Sequence, residues 1–256
     1  LGLVFKDHLF SWDNHWKKKE GNFVQSKPTR LNTVTHLTKK YLRSGSKILE
    51  GGCGAGNHVL SLKLHSYDVY GVDMASETIH SLLQRDDTEG VSIQIADVRK
   101  LPFEDNFFDG YWSLGVIEHF YEGYDSLIRE AHRVLRKNGI FFLAFPHMSP
   151  LRRCKARYSL YKQIPPLKDQ DIDTFYQFIL DAEETKNNVE RYGFIYLTRL
   201  PMDAASGIAE EIPILKHLLK PIMGNNAFTA RLTRFLITII FGSLVSHSIV
   251  LIFQKR

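Results

Sequence analysis

The chain has 256 residues, 44% of them hydrophobic and 24% charged, and a formal net charge of +5. That is room for one α/β domain with a large buried core, too little for two full domains, and it excludes disordered and fibrous chains. The modest positive balance accommodates an anionic substrate or a membrane surface and gives no pointer to nucleic acid.

In chain order, residues 1–45 read as helical, with Trp12 and Trp16 on one face beside Lys17-Lys18-Lys19. The first residues lack the basic, apolar, small-residue order of a secretory leader. Leu1 stands in place of an initiator Met, which suggests a truncated or processed chain. From Lys47 to Pro146 apolar runs alternate with helical patterns. Lys47-Ile48-Leu49 is a buried strand ending at Glu50, and 57–64 has helical spacing. Asp68–Val72 is a second strand and Ser76–Arg85 a second helix, with Ser76 as its cap. Val91–Ala96 and Phe107–Ser113 are further strands. A helix over Tyr124–Arg136 has Leu127, Ile128, Ala131, Val134 and Leu135 on one face and stops at Asn138-Gly139, where glycine suits a left-handed cap. Ile140–Phe145 is a fifth, fully apolar strand. Repeated β-then-α units predict a parallel sheet with helices on both faces.

Beyond Pro146 the pattern is less regular. Residues 146–173 are basic and broken by prolines, Ala182–Arg191 is a polar helix, Phe194-Ile195-Tyr196-Leu197 is apolar, and Ile212–Ile222 is another helix. The apolar stretch Leu236–Phe253 contains Thr238, Gly242, Ser243, Ser246, His247 and Ser248, and a membrane span takes about 20 mostly apolar residues. It reads as a buried helix to about Val245 followed by a strand over Ser248–Phe253. Cys53 and Cys154 show no metal-ligand spacing, so no metal is expected, and a cytoplasmic location suits two free thiols better than a disulfide framework.

The segment that carries chemistry is Glu50-Gly51-Gly52-Cys53-Gly54-Ala55-Gly56, between a strand and a helix. Glycines there let the chain turn tightly and let a ligand approach the main chain. By itself the loop is compatible with a plain strand-to-helix turn. Three acids raise its meaning. Glu50, Asp73 and Asp97 end three successive strands, and open parallel sheets bind ligands at those ends. Asp73 is placed to accept both hydroxyls of a ribose, and Asp97 an adenine amino group. A dinucleotide fold would need G-x-G-x-x-G and an uncluttered helix N-terminus for pyrophosphate. Here the third glycine, Gly56, comes one residue early, Asn57 takes the dinucleotide position, and Glu50 would repel phosphates. An ammonium and a sulfonium suit that acid better.

These stretches, with Leu101-Pro102-Phe103, Phe107-Phe108-Asp109 and Arg133–Gly139, resemble the successive motifs of class I S-adenosylmethionine-dependent methyltransferases (methyltransferase type 11). The closest likeness is to the small-molecule branch that includes ubiquinone and menaquinone methyltransferases, over about residues 45–146. Gly51 and Cys53 depart from the pattern and are both small. The resemblance implies a Rossmann-like three-layer α/β sandwich, a seven-stranded, mostly parallel sheet with an antiparallel last strand at Ser248–Phe253, and helical cover elements. It implies one domain over 1–256, its core at 45–146, 190–200 and 246–254 and its cover at 1–44, 147–189 and 201–235. It also implies S-adenosylmethionine as donor and S-adenosylhomocysteine as product. Gly52, Gly54 and Gly56 would contact the methionine part, with Glu50 and Cys53 in the same loop. Asp73 and Met74 would hold ribose and adenine, Asp97 and Val98 adenine, and Ser113 and Leu114 would line the donor pocket.

On the acceptor side, His119 and His147 follow the fourth and fifth strands and are candidate bases. Arg152, Arg153, Lys155 and Arg157 form either a solvated basic loop or a receptor for an acidic acceptor. The expected partner is a small-molecule acceptor, acidic or lipid-like, with at most peripheral membrane contact. A nicotinamide-dependent oxidoreductase and a non-catalytic donor-binding subunit are the rival readings.

Overall fold

The computed structural model describes residues 2–5, 12–13, 16, 32–161, 175–223 and 227–256. Lys17–Lys19 and residues 162–173 of the proline-broken stretch lie outside them. The elements are β1 (Gly2–Phe5), α1 (Thr33–Tyr41), β2 (Lys47–Gly51), α2 (Asn57–Lys63), β3 (Asp68–Asp73), α3 (Ser76–Leu83), β4 (Ser92–Ile95) and β5 (Phe108–Leu114). They continue as α4 (Asp125–Val134), β6 (Leu135–Pro146), α5 (Pro150–Arg157), β7 (Phe175–Ile179), α6 (Ala182–Arg191), β8 (Phe194–Met202), α7 (Ala204–Glu211), α8 (Pro213–Leu219), α9 (Phe228–Val245) and β9 (Ser248–Lys255).

Seven strands form one sheet in the order β4-β3-β2-β5-β6-β9-β8. β2 to β6 are mutually parallel, and β9 runs antiparallel to both β6 and β8. This is the Rossmann-like sheet with an antiparallel last strand that the family resemblance implies. Successive side chains on a strand point to opposite faces, so Leu49, Tyr111 and Phe141 enter one core while Ile48, Trp112 and Phe142 enter the other. α4 and α6 cover the first face, and α1, α2 and α3 the second. Trp112 stacks on Phe142 with centroids 4.2 Å apart, and its indole N–H donates to Thr38 Oγ1 at 2.9 Å, which fixes α1 beneath the sheet. Strand order reverses between β2 and β5, where Gly51 faces Ser113.

Four local expectations are corrected. The N-terminal region is helical at Trp12, Asp13 and Trp16, as expected, but not throughout, because Gly2–Phe5 pairs antiparallel with β7. Ser76 does not cap α3. The cap position is Ala75, and Asp13 Oδ1, from the N-terminal segment, accepts from the Glu77 and Thr78 amides at 3.1 and 3.2 Å. α4 ends at Val134, and the left-handed residue before the apolar run of β6 is Asn138, not Gly139. Finally, α9 is long and apolar as expected but not buried, for only Ala230 and Gly242 on it are fully covered.

Candidate functional site

Three glycines, Gly52, Gly54 and Gly56, take left-handed backbone angles. The conformation alone favours glycine, and at Gly54 space forbids anything larger, since a Cβ there would sit 2.2 Å from the Trp16 ring. The loop is tied to the next strand by Asp73. Its Oδ2 accepts from the Gly54 amide at 2.8 Å and its Oδ1 from the Ala75 amide at 2.9 Å. Each carboxylate oxygen has a second lone pair, so Asp73 keeps acceptor capacity toward the cleft it borders. Burial raises its pKa, against the lowering pull of the Ala75, Gly54 and Met74 amides.

A cavity of about 470 Å³ opens over the carboxyl ends of β2 to β6. Glu50, Asp73 and Asp97 all line it, as do Gly52, Cys53, Met74, Val98 and Leu114. Gly54, Gly56 and Ser113 lie outside its lining. Gly54 is roofed by Trp16, Gly56 caps α2 against Leu82, and Ser113 pairs with Gly51 inside the sheet. Asp97 is committed to Arg99, which reaches it through Nε and Nη2 at 3.0 and 2.7 Å and holds its pKa low.

Glu50 is different in kind. It is 3% exposed, and its Oε2 accepts from the Val59 amide at 3.0 Å. Burial pushes its pKa up to about 8, opposed by that amide and reinforced by Asp73. A buried carboxyl beside left-handed glycines in a cleft is a built partner for a cation. His58, also on the lining, is pushed down to about 4 by burial and is neutral near pH 7.

Much of the remaining wall is apolar and aromatic, from Trp12, Val116, Phe120, Phe145 and Met202, with Val116 directly against Gly52. His119 lines the cavity, its Nδ1 2.5 Å from the Tyr176 carbonyl and its ring 4.7 Å from Trp12, edge to face. The carbonyl only accepts, so Nδ1 carries the hydrogen. Beside it stands Glu118, which sequence reasoning passed over. It is 2% exposed, lines the cavity, has no hydrogen-bond partner for Oε2 and is pushed up to about 8 by burial. Its Oε1 is 3.9 Å from His119 Nε2. The available signal was an acid inside the apolar run Val116-Ile117-Glu118. Trp12 and Trp16, read above as one face of a helix, arrive as walls of the cleft.

His147 is not brought to the cavity. It is buried against Ser246, Nε2 to Oγ 2.8 Å, and burial together with Arg152 and other cations pushes its pKa down to about 4. The basic run after it is solvated only in part, at Arg153 and Arg157. Arg152 is 2% exposed, bonds Glu211 and Glu210 at 2.8 Å each, and donates to the carbonyls of His147 and His247. Lys155 pairs with Glu211 and Arg153 with Asp181. Burial alone would raise the pKa of Glu211, but hydrogen bonds from Lys155, Tyr161 and Arg152 keep it low. Arg152 and Lys155 are thus spent inside the fold, while Arg153, paired with Asp181, and Arg157 stay exposed. Arg152→Met should therefore lower the unfolding free energy by about 3–5 kcal/mol in a denaturant titration, the usual cost of stranding a buried charge. A fully stable Arg152→Met protein with a raised acceptor KM would instead restore the anion-receptor reading.

The fold is Rossmann-like, and its cleft opens over the carboxyl ends of the parallel strands. Residues 49–143, from β2 into β6, match the family model described as a methyltransferase domain. The demethylmenaquinone methyltransferase of Staphylococcus saprophyticus is 31% identical over 145 residues, 55% of this chain and 60% of that one. The chain spans about half the length of the curated relatives it matches, or less. Among solved structures, Haemonchus contortus phosphoethanolamine N-methyltransferase 2 in complex with S-adenosyl-L-methionine has a TM-score of 0.62 at 15% identity, covering 98% of this chain and 61% of that one. The [4+2]-cyclase SpnF has a TM-score of 0.53 at 17% identity, covering 100% and 86%. Both likenesses are of fold.

Proposed function

We propose that this protein is an S-adenosylmethionine-dependent methyltransferase that passes a methyl group to a small, apolar or lipid-like acceptor by in-line displacement. The carrying observation is the cleft at the sheet's switch point, where buried Glu50 and Asp73 flank a left-handed glycine loop. In this reading Glu50, Gly52 and Cys53 hold the amino-acid end, and Gly54 and Gly56 shape the loop behind them. Asp73 accepts ribose hydroxyls, Met74, Asp97 and Val98 border the base, and Leu114 with Ser113 behind it forms the floor. The donor supplies a carbon already activated by positive sulfur. The protein's task is then to hold donor and acceptor in line and to exclude water, worth on the order of 7–11 kcal/mol of barrier. Trp12, Trp16 and Tyr176 roof the cleft and serve that exclusion.

The apolar walls of the cavity and the likeness to a demethylmenaquinone methyltransferase favour an acceptor with a large apolar part. An acidic acceptor loses much of its support with Arg152, Arg153 and Lys155 paired to acids. Core and cover are read as one domain, since β8 and β9 complete the sheet. A cytoplasmic setting suits the two free thiols, Cys53 and Cys154. Calorimetric titration with S-adenosylhomocysteine and with NAD tests the reading. Binding of the former and none of the latter is expected; tight binding of NAD alone would overturn it.

A further inference from the structure

We propose that α9, with α8 beside it, is a docking surface for an anionic lipid bilayer, on which the protein lies without crossing it. A helix on a soluble protein turns its apolar stripe inward. On α9 the stripe points out. Phe228, Leu232, Phe235, Leu236, Ile239 and Ile240, at i, i+4, i+7, i+8, i+11 and i+12, are all exposed, with Phe228 at 77% and Ile239 at 64%. On α8, Ile214 and Leu218 are 80% and 74% exposed. Contiguous apolar surface of this kind marks an interaction or membrane face.

The inner side of α9 is built for close contact with the body. Gly242 packs where a Cβ would come within 3.0 Å of Pro201, and Gly207 of α7 packs where one would come within 1.8 Å of the Val245 carbonyl. The Ala204 amide donates to Thr238 Oγ1 at 3.4 Å. A spanning role is excluded by topology. Met202, before the excursion, pairs with Ser248, after it. One crossing by α9 would put those paired residues on opposite sides of the membrane, and among the described residues no second helix is long and apolar enough to return.

Charge selects the partner. From Ile212 to His247 the sequence has no Asp or Glu but has Lys216, Lys220, Arg231 and Arg234. Lys216 and Lys220 are exposed on and just after α8. Two copies meeting through this face would bring like charges together, whereas anionic headgroups complement them and acyl chains take up the apolar side chains. α9 also leads directly into His247 and Ser248, which line the cavity. A bilayer-dissolved acceptor is thereby brought beside the cleft, a consequence that rests on the methyltransferase reading, as docking itself does not.

The test is sedimentation of the full chain with vesicles of phosphatidylcholine alone and of equal parts phosphatidylcholine and phosphatidylglycerol. Binding to the anionic vesicles, weaker on phosphatidylcholine and weakened by salt, is expected. Ile239→Glu with Ile240→Glu should abolish it. Lys216→Glu with Lys220→Glu should reduce it by at least about 25-fold, at about five-fold per basic residue. All four positions are exposed, so melting temperature and S-adenosylhomocysteine affinity should stay at parental values. Protein left in the supernatant with both vesicle types overturns the proposal. So does a dimer, by light scattering, that the Ile239→Glu, Ile240→Glu protein no longer forms. Loss of S-adenosylhomocysteine binding in the parent would defeat the enzyme reading and leave the vesicle result standing.

Discussion

Glu50→Gln should weaken S-adenosylmethionine binding by roughly 10- to 100-fold at pH 8.5 and remove most of its pH dependence. Burial holds the Glu50 carboxyl near a pKa of about 8, so in the ligand-free protein it keeps its proton at neutral pH. A cationic donor prefers the anion. Binding below pH 8 therefore expels the proton, and the association constant should rise by up to about ten-fold per pH unit until Glu50 is ionised. Glutamine keeps the shape and the Val59 contact region but cannot ionise, and loses a charge-assisted bond worth roughly 1.5–3 kcal/mol. Calorimetry at several pH values, in two buffers of different ionisation enthalpy, counts the released proton directly. Parental affinity and parental proton release in Glu50→Gln would refute this role.

The same carboxyl sets a stability signature. Between about 4.5 and 8 the folded protein binds more protons at Glu50, and at Glu118, than the unfolded chain does. That contribution to stability is complete below pH 4.5 and is lost as pH rises through about 8. His58 and His147 act in the opposite sense. Their pKa values near 4 mean stability that is present above pH 6.5 and lost as pH falls toward 4. The ligand-free protein should thus be squeezed from both sides of neutrality, and donor binding should relieve the alkaline side only.

How far the sequence exposes this site depends on how local each signal is. Strands such as Ile140–Phe145 are legible because a doubly covered parallel strand has to be a continuous apolar run. Glu50, Asp73 and Asp97 are legible because strand ends in such a sheet are fixed by the same runs. What fails is everything decided by a distant partner. The basic run at Arg152 looks solvated until Glu210, 58 residues away, and Glu211 close on it. Asp13 caps a helix 64 residues downstream, and no local pattern marks it. The composition of α9 suggests burial, because hydropathy records that a surface avoids water and not what covers it.

Glu118 carries the remaining large effect. Glu118→Gln should lower kcat by about 10²- to 10⁴-fold, the range for loss of a positioned base, while donor affinity changes little. A base works best when its pKa lies near the working pH, and burial puts Glu118 there, at about 8, with Oε2 lacking any hydrogen-bond partner and its carboxyl on the cavity wall. His119 stands beside it without bonding it: Nδ1 is committed to the Tyr176 carbonyl, and Nε2 is 3.9 Å from Oε1, beyond hydrogen-bond range. His119→Gln should then cost less than Glu118→Gln and shift the pH profile rather than flatten it. In the parent, kcat should climb with pH up to about 8 and level off, since only the ionised carboxylate takes a proton from the acceptor. A Glu118→Gln protein that keeps parental kcat and the same rising limb would remove the carboxylate from the chemistry and leave its burial as a matter of packing.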